Sequence, residues 1–280
     1  MTAREFLTNV AILSTIMGLA ALIEIAVPMF SHRTWTRGRR VANLGLTAVV
    51  FLLNWLLSLA AAVLALTMSL RPPALATGLG LPMPVQIIAG IVILDFSAGY
   101  IAHRALHLFP ILWRFHQVHH SDDFVDVTTT YRTHPVETVW RFLFVIVPVW
   151  MIGIPALAVV IQRLVSAANG IFEHGNIRLW SPVDRVLSRI WVTPNIHKIH
   201  HSRELSQTNS NYGNVLTIYD RIFGTFTPSD RALSVVYGLA DVDPTRVGSF
   251  GALLSVPFEP EGFLTQKSGS DSAHTDTIPV

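Results

Sequence analysis

Three histidine clusters limit how this chain can fold more than any other feature of its sequence. They read His103-Arg104-Ala105-Leu106-His107, His116-Gln117-Val118-His119-His120 and His197-Lys198-Ile199-His200-His201. Spacings of i, i+4 or i, i+3, i+4 place side chains on one face of a helix, so each cluster can present two or three imidazoles to a common centre. Eight of the twelve histidines belong to these clusters, and His134 and His174 fall between the second and third. No packing need produces such a pattern; it is that of a metal site. The chain has no cysteine, which excludes thiolate-bound zinc and iron–sulfur clusters, while imidazole suits iron, zinc, copper or nickel. One tetrahedral metal takes about four ligands, so this many histidines predict two metals. Clusters that share a centre must also lie on one side of any membrane the chain crosses.

A membrane is expected. Hydrophobic residues make up 51% of the chain and charged residues only 14%, against roughly 25% charged in soluble domains. Residues 6–30 form a first candidate span with Glu24 near its end, and residues 43–68 an uncharged second. The run from Val10 to Phe30 lacks the basic flank of a cleavable signal and is long enough to span. A third span starts near Val85 and continues as a helix through Asp95, Gly99, His103 and His107. The first loop, Ser31 to Ala42, carries Arg33, Arg37, Arg39 and Arg40; the Pro/Gly-rich second loop, Ser69 to Pro84, carries Arg71 alone. That bias puts the first loop, and with it the first two histidine clusters, in the cytoplasm. His32 reads as solvated or interfacial.

The apolar run Phe142 to Ile161 is long enough for one crossing, which would strand His174 and the third cluster on the far side. Pro148, Gly153 and Pro155 interrupt it, and proline inside a helix removes a donor and clashes with the preceding turn. The expectation is therefore two half-length helices in a shallow or re-entrant hairpin, extended by flanking residues. The predicted fold is an all-α integral membrane protein with about three full spans plus this Pro-broken helical hairpin. A cytosolic helical cap holds a His-rich di-metal site. Residues 1–84 form the N-terminal transmembrane helices and loops, 85–260 the catalytic unit, and 261–280, with His274, a disordered tail. Val235 to Phe258 gives no clear signal. Nucleic-acid binding is excluded: the formal charge is only +2 and no reading element accompanies the arginines.

Among the remaining polar residues, Asp95 lies two turns before His103 and either accepts a ligand's second ring proton or anchors the buried chain. Asp122, Asp123 and Asp126 read as a solvated acidic loop. Arg104 and Lys198 read as basic flanks of a membrane interface, and Arg132 either binds an anionic headgroup or braces acidic groups behind the site. Asn211, Tyr212 and Asp220 either brace the third cluster or shape its turns, and Phe223-Gly224-Thr225 is a structural turn.

The ordered set Asp95…His103-Arg104…His107, Trp113…His116…His119-His120-Ser121, Arg132…His134-Pro135…Glu137 and Glu173-His174…Asn176 resembles the fatty acid hydroxylase / sterol desaturase superfamily. So do Thr193-Pro194…His197…His200-His201-Ser202, Asn211-Tyr212-Gly213 and Asp220…Phe223-Gly224-Thr225. The likeness covers Asp95 to Thr225, with Tyr219 a departure where many relatives carry tryptophan, expected to alter packing and not chemistry.

The resemblance implies a membrane non-haem di-iron oxygenase, an oxidoreductase that hydroxylates or desaturates a C–H bond of a lipid with O2. It implies His103, His107, His116, His119, His120, His174, His197, His200 and His201 as ligands of two Fe ions, with Zn able to replace iron in purified protein. His134 is a further ligand or a donor behind one, and Asp95, Asn211 and Asp220 support the ligands. The implied substrates are a sterol, fatty acyl, ether lipid or carotenoid. Without a CxxCH motif, a GxGxxG fingerprint or cysteine, electrons are expected from an external reductase, ferredoxin or cytochrome. Hydroxylation is preferred because it needs one C–H cleavage. Arginine in place of lysine suggests a bacterial inner membrane. A non-enzymatic membrane metal-binding or transport protein would distribute polar residues along its spans, and the first two spans lack them. A zinc hydrolase would carry HExxH, which is absent. A relative with a dead centre would have lost expected ligands, and none is missing.

Overall fold

The structure is a computed structural model that describes residues 2–30, 37–68, 79–240, 242 and 247–259. The 261–280 tail, His32 and most of the Pro/Gly-rich loop lie outside the described residues. Among the described residues there is no strand; two isolated bridges, Pro28 with Ile177 and Trp191 with Leu216, pin loops together. All the rest of the regular structure is helical.

In chain order the helices are α1 (Ala3–Ala26), α2 (Arg37–Met68), α3 (Met83–Leu108), α4 (Pro110–His120), α5 (Pro135–Gly153) and α6 (Ala156–His174). Shorter ones follow: α7 (Ser181–Leu187), α8 (Pro194–His200), α9 (Leu205–Thr208), α10 (Ile218–Ile222) and α11 (Phe250–Ser255). Five of them, α1, α2, α3, α5 and α6, are long and apolar enough to cross a membrane. Even the 19-residue α5 and α6 reach about 28 Å at 1.5 Å per residue, close to the hydrocarbon thickness of a bilayer. Their outer faces carry large exposed apolar side chains such as Leu22, Ile88, Met151 and Val160. Water does not tolerate such a continuous surface, and lipid does.

The hairpin is present, and its break falls at Gly153, whose φ is 75°, with Pro155 at the start of the returning helix. Pro148 stays inside α5, followed by a π-helical turn over Val149–Gly153. Flanking residues extend both arms beyond half length. Helix α6 returns against α3, where Gly90 leaves room for it: a Cβ there would stand 2.6 Å from Ile154 Cγ2. The hairpin therefore starts beside His134 and ends at His174 on the same end of the bundle, so no ligand is stranded.

Above that end, buried polar groups tie the spans to the short helices. Glu24 of α1 accepts from the backbone N–H of Val127 and of Asn176, both at 2.7 Å. Arg39, which opens α2, is 4% exposed and donates Nε to Asp122 Oδ1 at 2.5 Å and Nη1 to Asp126 Oδ2 at 2.9 Å. It also donates to the Phe124 carbonyl. Asp122 and Asp126 are thus the buried acceptors of an ion-pair network and not a solvated loop; of that stretch only Asp123 is exposed. Asp122 is held below the usual carboxylate range by Arg39 and Arg132, overcoming the opposing effect of its burial.

Arg132 is likewise internal, donating to Val118 O, Asn43 Oδ1, Ser121 Oγ and Val247 O. It braces this end of the bundle and binds no headgroup. Lys198 is no interface flank either: it is fully buried, and Nζ donates to the carbonyls of Val125 and His174. Burial pulls its ammonium down to about 7 against the pull of Glu24 and Asp126. The segment that gave no sequence signal folds as α11, and Leu253 and Val256 pack with Ala42, Leu46 and Val118. Six residues are too few for periodicity to register.

Candidate metal centre

Nine of the ten singled-out histidines converge in two buried groups. His103, His107, His116, His120 and His200 form one; His119, His174, His197 and His201 form the other, with the facing nitrogens in each within 4.8 Å of one another. The second and third clusters are each divided between the groups. On α4, His116 and His120, one turn apart, face one group while His119 faces the other. On α8 and its end, His200 faces the first group and His197 and His201 the second. The HxxHH spacing is therefore a device for walling two sites with one helix.

The backing of the rings fixes their protonation. His103 Nδ1 lies 2.8 Å from the Tyr212 carbonyl, His200 Nδ1 2.8 Å from that of Ser210 and His174 Nδ1 2.7 Å from that of Gly170. A carbonyl only accepts, so each of these Nδ1 atoms carries the proton and each Nε2 presents a lone pair. His116 Nδ1 likewise faces Glu137 Oε2 at 2.9 Å. Burial holds His116, His119, His120, His197 and His201 well below the ordinary imidazole value, and His200 at about 4. These rings are neutral.

Neutral rings bring their Nε2 atoms together in both groups, although in the four-histidine group an acceptor fixes only the His174 tautomer and the Nδ1 atoms of His119, His197 and His201 are buried without a hydrogen-bond partner. Nε2 to Nε2 separations are 3.1 Å for His103 and His116, 3.0 Å for His119 and His174 and 3.0 Å for His174 and His197. Among the described residues, His107 Nε2 and His200 Nε2 are buried without a hydrogen-bond partner. Lone pairs facing lone pairs repel unless a cation lies between them. Ligands about 2.1 Å from a shared metal stand about 3.0–3.4 Å apart for angles between 90° and 109°, which is the spacing found here. The donor set fits a metal in each group, and imidazole without thiolate suits iron or zinc.

His134 stands outside both groups. Its Nδ1 accepts from Val136 N–H at 3.2 Å, capping α5, and its ring packs on Phe115 and Phe258. Asp95 also touches no histidine. It sits at the start of a π-helical stretch, Asp95–Ile101, which widens the turns and breaks the four-residue stripe expected from an α-helix. Its Oδ2 accepts the Leu216 N–H at 3.2 Å. Asp220 accepts from Tyr212 N–H and Gly213 N–H, both at 2.8 Å. Asn211, at φ 54°, donates to Thr227 O at 2.9 Å and accepts its N–H at 2.8 Å.

These three residues act on one loop, residues 209–216, and that loop backs three rings of the five-histidine group. It supplies Asn209 Oδ1 near His107 at 3.4 Å, Ser210 O to His200 and Tyr212 O to His103. Sequence reasoning assigned no role to Glu137 or Glu173. Glu137 backs His116 and also accepts from Arg141 at 2.8 Å, while Glu173 Oε1 lies 3.8 Å from His174 Nδ1 and 3.9 Å from His197 Nε2. The available signal is the single carboxylate of each hairpin arm, placed at its ligand-bearing end. Replacing Glu137 by alanine is expected to weaken metal retention 10- to 100-fold, read as the chelator concentration that strips half the metal.

A membrane bundle whose one end encloses two facing imidazole groups is the architecture of a membrane metalloprotein. Residues 87–225 match the fatty acid hydroxylase family, and this part of the chain belongs to that family. The chain is 34% identical over 182 residues to the ornithine lipid hydroxylase OlsE of Rhizobium tropici, an alignment covering 65% of this chain and 53% of the relative. It is 33% identical over 170 residues to the alkylglycerol monooxygenase of Danio rerio (60% and 35%) and 31% identical over 143 residues to that of Homo sapiens (50% and 30%). The chain thus spans about half the length of the first relative and about a third of the others. No solved structure matches.

Proposed function

We propose that this chain is a membrane-bound non-haem di-iron oxygenase that hydroxylates a C–H bond of a lipid with O2 and externally supplied electrons. The observation that carries the reading is the pair of buried groups in which imidazoles turn their Nε2 atoms on one another. His103, His107, His116, His120 and His200 would hold one iron, and His119, His174, His197 and His201 the other. Iron there supplies dioxygen activation and the cleavage of an unactivated C–H bond. The chain's own part is to keep the rings neutral by burial, to aim them through the Nδ1 acceptors and to exclude water. Glu137 steadies His116 with a carboxylate, and the loop 209–216 steadies three further rings with neutral acceptors.

Hydroxylation places one oxygen atom in the C–H bond and reduces the other to water with two protons and two electrons. A separate reductase, ferredoxin or cytochrome is their source. The names of the relatives, an ornithine lipid hydroxylase and an alkylglycerol monooxygenase, favour a lipid with a polar head over a sterol or carotenoid. The position of His103 and His107 in the last turns of α3 favours a reactive carbon near that head. Residues 85–260 are the catalytic unit, carried by the spans of 1–84. The arginine-rich first loop favours the cytoplasmic side for the histidines, and arginine in place of lysine favours a bacterial inner membrane.

Mössbauer spectroscopy and metal analysis of iron-57-enriched, detergent-purified protein test this reading. About two spin-coupled irons per chain in the oxidised state are expected, from the about four ligands that each metal takes. Stoichiometric zinc that iron cannot displace with a gain of oxygen reactivity would overturn it. With a turned-over lipid, label from 18O2 in the product marks hydroxylation, and loss of two hydrogens without label marks desaturation.

A further inference from the structure

The segment after the hairpin exposes an apolar surface that the metal site does not use. In α7 and its flanks, Trp180 is 73% exposed, Val186 62% and Ile190 64%; in α10, Ile222 is 69% exposed. The two pieces form one face. Thr217 N–H donates to Ile190 O at 2.9 Å, and Thr217 Oγ1 and Arg221 Nη2 both donate to Ser188 O.

Both ends of this face run into the spanning helices. Arg178 N–H donates to Val27 O at 3.1 Å, directly after α1 ends, so Trp180 adjoins the exposed Ile25 and Val27. At the other end, the Tyr219 hydroxyl donates to Val92 O at 3.0 Å within α3, beside the exposed Ile88 and Val92. Val92 precedes His103 by eleven residues, about 16 Å along a helix. From α10 the Tyr219 hydroxyl therefore reaches deeper along the spans than the first histidine. Charge completes the pattern: Arg178, Arg185, Arg189 and Arg221 are exposed around the face. The acid of α7, Asp184, is buried on Thr193 and Ser229 hydroxyls.

We propose that α7 and α10 form a bilayer-embedded wedge, with the apolar side chains at the headgroup–acyl boundary of one leaflet and the four arginines on anionic phosphates. An apolar face continuous with lipid-facing helices, with a tryptophan at its edge and arginines around it, is what the interfacial region selects. The proposal goes beyond the oxygenase reading and stands without a metal in the site.

The absence of cysteine makes the test direct. Single variants Val186→Cys and Ile222→Cys in the full chain, spin-labelled in nanodiscs of phosphatidylcholine with phosphatidylglycerol, are compared with Leu22→Cys on α1 and with Ser234→Cys on the exposed surface. Collisions dominated by O2 over a water-soluble nickel complex, as at Leu22, are expected at both positions. Nickel-dominated collisions like those at Ser234, in protein that remains monodisperse and keeps the helical content of the parent, would overturn the wedge and leave the face for a protein partner. In pure phosphatidylcholine the label at Val186 should become more mobile; unchanged mobility would overturn the role given to the arginines.

Discussion

Replacing His119 by alanine is expected to abolish the proposed lipid hydroxylation, with activity falling by more than about 100-fold, and to reduce the proposed two irons per chain to one or fewer. Removing a residue that merely backs a ligand costs 10- to 100-fold, and a ligand itself costs more. His119 Nε2 lies 3.0 Å from His174 Nε2 in a group of four, so its loss leaves three imidazoles and an open side. Metal analysis and turnover on the same preparation check the result. Activity lost with both irons retained would mean that His119 acts on something other than a metal. The control is His134→Gln: the capping histidine lies outside both groups, and its replacement should leave iron content unchanged.

The second large effect falls on stability. Arg39→Ala leaves Asp122 and Asp126, 1% and 2% exposed, without their shared cation. Breaking a buried ion pair from one side typically costs about 3–5 kcal/mol, because the abandoned charge remains buried. The expected outcome is a large fall in the midpoint of thermal unfolding in detergent. Asp122→Asn combined with Arg39→Met should recover part of it, since it removes one of the two stranded carboxylates and leaves Asp126. A single variant as stable as the parent would show that water reaches these carboxylates.

The ligand-bearing parts of the fold were legible because spacing carries them. Residues at i, i+3 and i+4 fix a helix face whatever surrounds it, and the requirement that all clusters meet turned the apolar run around Pro148 to Pro155 into a hairpin. What failed was the reading of charge. Asp122 and Asp126 read as solvated and Lys198 as an interface flank because isolated charged residues are usually exposed. Their partners Arg39, Val125 O and His174 O come from distant positions or from the backbone, which no local window contains. Asp95 follows the second of its two readings, a buried anchor of the chain, and the π-helical stretch that begins with it changes the helical period between it and His103. The helix at Phe250–Ser255 left no periodic trace, and the interfacial face built from α7 and α10 emerges only when two separated segments are seen side by side.

The loop at residues 209–216 carries a consequence for how this site tolerates change. At Ser210 and Tyr212 the acceptors behind His200 and His103 are main-chain carbonyls, which every amino acid possesses. The letter at Ser210 is therefore freer to vary than its nearness to the centre suggests, whereas the Tyr212 ring packs on His103, His107 and His200. The curvature of the loop is not free: it depends on Asn211 in a left-handed conformation and on the carboxylates of Asp95 and Asp220 gripping its backbone from either end. An engineer retuning the five-histidine group has little to gain from side-chain swaps at 210. The useful handle is loop shape, and its controls lie at positions that touch no imidazole.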